Sequence, residues 1–262
     1  QAVLLEILRE IILACPQKRK NERRLVHAKS LIRKYGLTVL NKTKSIGIKE
    51  IIKAARLERN GGSLTAEKVS FQIAPRLNAA GRISHANNAF DLLITTSVQE
   101  AEQLAKDLEK NNSQRQRLTE KILEEARLKL EETEGQKLIF ISGKSWPASL
   151  IGLVAGKISD QFNLPVIIVS ETKEKIVGSG RSIAEFDIIE AVEEFSDCFL
   201  HFGGHPQACG FTLKNNKELA RFKKGIINFA NKALAKSDLI PIIKIDAEGL
   251  HCHRLLRRTR ES

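Results

Sequence analysis

A pair of adjacent glycines, a proline and two histidines fall within ten positions in "HFGGHPQACG", residues 201–210. Gly203 and Gly204 can take positive φ and let an anion approach main-chain N–H groups. Pro206 stiffens the turn, and His205 can donate a hydrogen bond or, when protonated, a charge. That chemistry suits a phosphate. A rival reading is a metal site made of His201, His205 and Cys209, but four-residue spacing shares one face only on a helix, and Gly-Gly-His-Pro is a poor helix. A third is a tight turn whose histidine is satisfied locally.

Two other segments combine small residues with cations. "APRLNAAGRIS", residues 74–84, sets Arg76, Asn78 and Arg82 among alanines and a glycine. It reads as a turn where a backbone can approach an anion while guanidinium groups make bidentate phosphate contacts. For Arg76 and Asn78 a role in holding the turn competes with direct contact. "VGSGRS", residues 177–182, repeats the device with Gly178, Gly180, Arg181 and Ser182 at the end of a strand. Three small-residue loops of this kind predict a groove for a phosphate backbone.

The elements that must position these loops follow from periodicity. Residues 3–13 repeat apolar positions at helical spacing and lead into the basic run "PQKRKNERRLVHAKSLIRK". "YGLTVLNKTKSIGIKEIIKAARL" reads as two short helices, and Ser63 or Thr65 can cap another. From Ser97 to Glu132 almost nothing breaks a helix, which predicts one long helix or two parting near Asn111 and Asn112; Gly135 ends it. Beyond it, "KLIFIS", "LPVIIVSE" and "KIVGSGRS" read as strands, and "LIGLVAGKISDQF", "DIIEAVEEF" and Lys217–Leu234 as helices. The expected fold is α/β: a mainly helical N-terminal segment, a long connector helix, then a mixed β-sheet domain covered by helices. "IPIIKIDAE" resembles the first strand of a further unit.

The chain has 262 residues, 42 % hydrophobic and 28 % charged, the balance of a globular protein of about two domains. No apolar run approaches the ~20 residues of a membrane span. The four cysteines form no CxxC pair, and no secretory leader opens the chain, which together point to a reducing cytoplasm. A net charge of +12 favours a polyanionic partner, nucleic acid before membrane surface. With 5 % aromatic residues, one tryptophan and one tyrosine, no base-stacking platform is evident, so phosphates should dominate binding. The chain begins at Gln1 and contains no methionine, and "HCHRLLRRTRES" has no clear periodicity. A truncated or partly misread gene product would account for both.

"PRLNAAGRI", "LEKNNSQRQRLTEKILEEA", "WPASLIGLVAGKI", "GSGRSI" and "FGGHPQACGFTL" follow one another in the order and approximate spacing of the RecJ-like single-strand-specific DNA exonucleases of the DHH phosphoesterase superfamily, which this chain resembles from about Tyr35 to Asp246. The resemblance implies a remnant of the DHH-type domain at 1–96, a connector helix at 97–134, a DHH-associated substrate-binding domain at 135–236 and the start of an OB-type domain at 237–262. It also implies that Gly203, Gly204 and His205 face the catalytic centre, with His205 helping to hold the scissile phosphate. Arg82 and Arg181 match family arginines that would lie along the DNA backbone; Ser182, Arg76 and Asn78 stay substrate-binding candidates from their own segments, with a role in the turn favoured for Arg76 and Asn78. Gln114 and Arg117 match the connector face that borders the strand, where a solvated helix face is the competing reading. Such enzymes degrade single-stranded DNA from the 5′ end in repair and recombination, using manganese or magnesium. Their DxD and DHH metal motifs do not occur here, so no metal ligand is assigned and catalysis by this chain alone is not expected. The alternatives are a non-catalytic single-strand-binding module and a phosphodiesterase for short oligonucleotides.

Overall fold

A computed structural model describes residues 35–57, 63–83, 85–235 and 239. The predicted first helix, the basic run after it, and the "IPIIKIDAE" strand with its tail lie outside the described residues.

The first half is helical. After a helix over 35–41 comes α1 (Ile46–Ala54), capped by the Ser45 hydroxyl, which accepts from Ile48 N. Of the two candidate caps, Ser63 and Thr65, it is Thr65 that caps the next helix, by accepting from Lys68 N. This helix runs from Ala66–Lys68 through a π-helical turn, Val69–Ile73, into α2 (Ala74–Ile83). The expected turn at "APRLNAAGRIS" is therefore helix. Pro75 and Gly81 read as breakers, but the wider π turn, closed by Ala74 N donating to Val69 O, comes just where a proline ring would strike a regular preceding turn. Then follow α3 (Asn87–Ile94) and α4 (Val98–Arg127), a single uninterrupted helix.

At about 1.5 Å per residue the 30 residues of α4 span roughly 45 Å, enough to serve two cores. Its N-terminal half gives Ala101, Ala105 and Leu108 to a cluster with Ile51, Leu77 and Leu92. Its C-terminal half gives Ile122, Leu123 and Ala126 to a second cluster with Trp146, Leu150 and Ile168.

The second half is a five-stranded mixed sheet in the order β1-β2-β3-β5-β4, made of β1 (Ile139–Lys144), β2 (Val166–Glu171), β3 (Ile176–Arg181), β4 (Phe199–His205) and β5 (Ala208–Leu213). Helix α5 (Ala148–Phe162) connects β1 to its parallel neighbour β2 and covers one face. Helices α6 (Ile188–Glu193) and α7 (Asn216–Ala233) cover the other, over a core that includes Phe140, Ile167, Phe211 and Phe222. Each such fully buried side chain contributes about 1.5–3 kcal/mol. Strand β2 lies between two covered faces and is a continuous apolar run, whereas β3 and β5 alternate buried with less buried positions. That alternation marks where the cover of α5 runs out.

The segment expected to be a loop, "HFGGHPQACG", is a β-hairpin: β4 and β5 joined by the two residues Pro206 and Gln207. Gly203 and Gly204 are extended, and among the described residues the glycine with positive φ is Gly135. A hairpin with so many glycines lacks the β-branched signal that marked the other strands.

Candidate nucleic-acid interface

The register of the sheet decides which candidate residues share a face. Cys209, Phe211 and Leu213 of β5 point into the core beneath α6 and α7. Their neighbours Ala208, Gly210 and Thr212 therefore point to the α5 side. Arg181 and His205 both pair with Ala208, and Ser179 and Gly203 both pair with Gly210. Two rows thus run across the uncovered part of the sheet, Arg181–Ala208–His205 and Ser179–Gly210–Gly203. With strands about 4.8 Å apart, Arg181 and His205 stand roughly 10 Å from each other. The floor is made of small residues, Ala208 between the two and Gly210 and Gly203 in the next row, and a Cβ on Gly203 would meet nothing within 4 Å.

The wall of this trough is the first turn of α5. Arg82, at the end of α2, donates from Nη1 to Ser149 O at 2.8 Å, and Ser149 Oγ returns a hydrogen bond to Arg82 O at 2.8 Å. One turn on, Gly152 leaves room for Arg181, whose Nη2 lies 3.0 Å from where a Cβ would be. Arg181 Nη1 is steadied by Gly180 O at 2.7 Å and Ser179 Oγ at 3.2 Å. The two guanidinium groups therefore occupy one face of one helical turn, at a helix N-terminus with no side-chain cap. Loss of water, and then the charge of Arg181, hold the Arg82 pKa below the usual guanidinium value. Among the described residues neither arginine has a carboxylate partner. Like charges held together without a counter-ion at the positive end of a helix favour an anion.

The other expected residues are arranged differently. Arg76 is engaged: Nε is paired with Glu109 on α4 and Nη1 donates to Gln72 O. Asn78 is exposed on α2. Ser182 Oγ donates to Phe186 O at 2.7 Å, and its N–H to Gln207 O at 2.9 Å, so Ser182 ties down the hairpin turn. Gln114 and Arg117 are exposed on α4, and Arg117 lies about 200° around the helix from the inward-facing Arg115. Gly178 and Gly180 do not form a phosphate loop. A Cβ on Gly178 would stand 2.1 Å from the Phe211 ring, and one on Gly180 2.6 Å from Cys209 Sγ and Ile188 Cδ1, so both are glycine to admit core side chains. Gly204 likewise faces Ala208 O, 2.2 Å from a would-be Cβ. Cys209 is buried on the face opposite His201 and His205, with its thiol pushed up to about 11 by burial, so the three-residue metal reading has no shared centre.

One residue absent from the sequence reading joins the site: Ser179, in the glycine row. The inward stripe of α4 runs Ala101, Ala105, Leu108, Asn112, Arg115, Thr119, Ile122, Ala126, and its polar middle is visible in the sequence as an interrupted heptad.

With this geometry in view, residues 135–232 match the DHHA1 domain family. The chain is 37 % identical over 220 residues to the single-stranded-DNA-specific exonuclease RecJ of Bacillus subtilis and 32 % over 180 residues to that of Thermus thermophilus. The chain is RecJ-like. The crystal structure of RecJ in complex with Mn2+ from Thermus thermophilus superposes with a TM-score of 0.74 at 27 % identity, covering 88 % of this chain and 32 % of that one. An exonuclease RecJ bound to manganese gives 0.71, also at 27 % identity, covering 90 % of this chain and 57 % of its own. The matches cover 82 % and 69 % of this chain but 28 % and 25 % of the lengths of the two curated relatives. The helical first half and mixed five-stranded sheet are those of the RecJ fold.

RecJ structures hold Mn2+ or Mg2+. Among the described residues of this chain no group of three or more His, Cys, Asp or Glu side chains could hold a metal ion, so the donor set does not fit one. No described helix is long and apolar enough to cross a membrane.

Proposed function

We propose that this chain supplies the phosphate-backbone-binding half of a RecJ-like 5′-to-3′ exonuclease acting on single-stranded DNA in repair and recombination in the cytoplasm. The observation that carries this reading is the pair of guanidinium groups without carboxylate partners, Arg82 and Arg181, on the first turn of α5 beside a trough floored by Gly203 and Gly210. A strand of nucleic acid can lie on bare backbone there, with phosphates against the arginines and His205 at the far side, where it helps hold the scissile phosphate. Each charge-assisted contact contributes about 1.5–3 kcal/mol. Residues 135–236 form the substrate-binding domain, with α4 as connector and the helices before it as part of the DHH-type domain. Manganese or magnesium chemistry belongs to residues other than those described, and no step of bond cleavage is assigned to this chain.

The test is binding of a 3′-fluorescein oligothymidylate at several salt concentrations, with manganese-dependent cleavage followed in the same samples. Wild-type protein should bind with a log–log salt slope of about −0.7 for each phosphate neutralised. Arg82→Ala and Arg181→Ala should each weaken binding roughly tenfold or more and flatten that slope, His205→Ala should weaken binding less, and no sample should cleave. Wild-type affinity in both arginine variants would refute the reading; cleavage would show that this chain contains metal ligands after all.

A further inference from the structure

The α4 stripe holds an arginine whose neighbours along it, Asn112 and Thr119 three and four residues away and Leu108 and Ile122 seven away, are all buried. Arg115 is half-buried in that seam, at the level where α2 packs against α4. Its Nη2 donates to Asn112 Oδ1 at 3.0 Å, and Thr119 Oγ1 donates to its carbonyl at 2.7 Å. Its Nε is buried without an acceptor. An arginine fixed for structure is ordinarily surrounded by acceptors, since leaving a buried donor of a charged group unmatched costs about 1–3 kcal/mol or more. No ion pair with a carboxylate is formed by Arg115 among the described residues, and Glu109, one turn and more away on α4, is paired with Arg76. Burial first, then the charges of Arg82 and Arg76, depress the Arg115 pKa, which places it in the same positive field as the phosphate site.

We propose that Arg115 is a third cationic arm of the Arg82–Arg181 site, set behind the other two so that a bound phosphate supplies the counter-charge that the protein withholds. This rests on the phosphate-binding reading above and extends it to a residue on the connector helix. The ligand class follows from the charge: a phosphate group of nucleic acid that reaches past the α5 turn toward the seam, where guanidinium groups from α2, β3 and α4 meet it. The arrangement also ties α4, common to two of the cores, to the occupancy of the site.

Arg115→Gln and Arg115→Lys separate this role from a structural one. Gln keeps an amide donor for Asn112 and removes the charge; Lys keeps the charge and loses the fork. With 3′-fluorescein oligothymidylate, Arg115→Gln should bind roughly tenfold more weakly and flatten the salt slope by about 0.7. Arg115→Lys should keep the slope and lose less affinity. Inorganic phosphate should raise the melting temperature of the wild type and of Arg115→Lys more than chloride at equal ionic strength does, and this gain should shrink in Arg115→Gln. The inference is overturned if Arg115→Gln binds with wild-type affinity and slope. It is equally overturned if Gln and Lys are alike in affinity and slope, or if both fail to fold, because Arg115 is then a structural residue. Should Arg82→Ala and Arg181→Ala also bind as wild type, the phosphate-site reading itself fails; should they alone lose binding, only the role of Arg115 does.

Discussion

Gly203 and Gly204 are adjacent and lack side chains for different reasons. A Cβ on Gly203 would enter open space on the trough floor, whereas on Gly204 it would collide with the backbone of Ala208 and Cys209. Gly204→Ala should therefore cost about 1–3 kcal/mol, by overpacking, and lower the melting temperature. Gly203→Ala should leave that temperature nearly unchanged and weaken oligonucleotide binding by raising the floor. Thermal melts and binding isotherms on the two variants check this, and a shared loss of stability would mean the floor is rigid at both positions. The sequence singled out both glycines, together with Arg82, Arg181 and His205, because small residues beside cations are a local pattern. It could not tell Gly203 from Gly178 or Gly180, since whether the missing Cβ makes room for a ligand or for the Phe211 ring depends on strands paired across the sheet. For Ser182, read as a contact, and for Arg76, where contact competed with a structural role, the acceptors Phe186 O and Glu109 become neighbours only on folding.

Among the elements, long periodic ones were legible and short irregular ones were not. The apolar stripe of α4, the runs of β1 and β2, and α5 and α7 follow directly from spacing. The β4–β5 hairpin escaped because its glycines carry no strand preference, and because a bulge between Phe199 and His201 shifts its alternation. Its turn is held from outside: Ile188 N donates to Pro206 O at 3.0 Å, and Asp187 Oδ1 caps α6 by accepting from Ile189 N and Glu190 N at 3.1 Å each. Asp187→Ala should thus cost about 1 kcal/mol and also loosen the turn that presents His205. Hydrogen exchange should rise at Ile188 and at the hairpin amides beside Pro206; exchange confined to α6 would show that cap and turn are independent.

At the scale of the molecule, α4 and the paired hydrogen bonds between Arg82 and Ser149 join the helical core to the sheet. The chain's single tryptophan, Trp146, is buried in the second core and reports on it alone. Leu108→Ala, in the first core, should destabilise by about 2–5 kcal/mol. If α4 makes the cores one cooperative unit, the urea midpoint of Trp146 fluorescence should fall together with that of far-UV circular dichroism. A fluorescence midpoint that stays in place would show two separately unfolding halves. The charge of the chain and its α/β order were readable from composition and periodicity; the joining of the halves was not, because it depends on which way Arg82 points. That direction is set upstream, by the π-helical turn at Val69–Ile73. An α-helix advances about 100° per residue, so a chain one residue shorter between Thr65 and Ala74 could keep an unbroken helix and every residue of the site, yet aim Arg82 about a quarter of a turn away from Ser149. The placement of this cation is written in a residue count, and deletions in that turn should be less tolerated than substitutions.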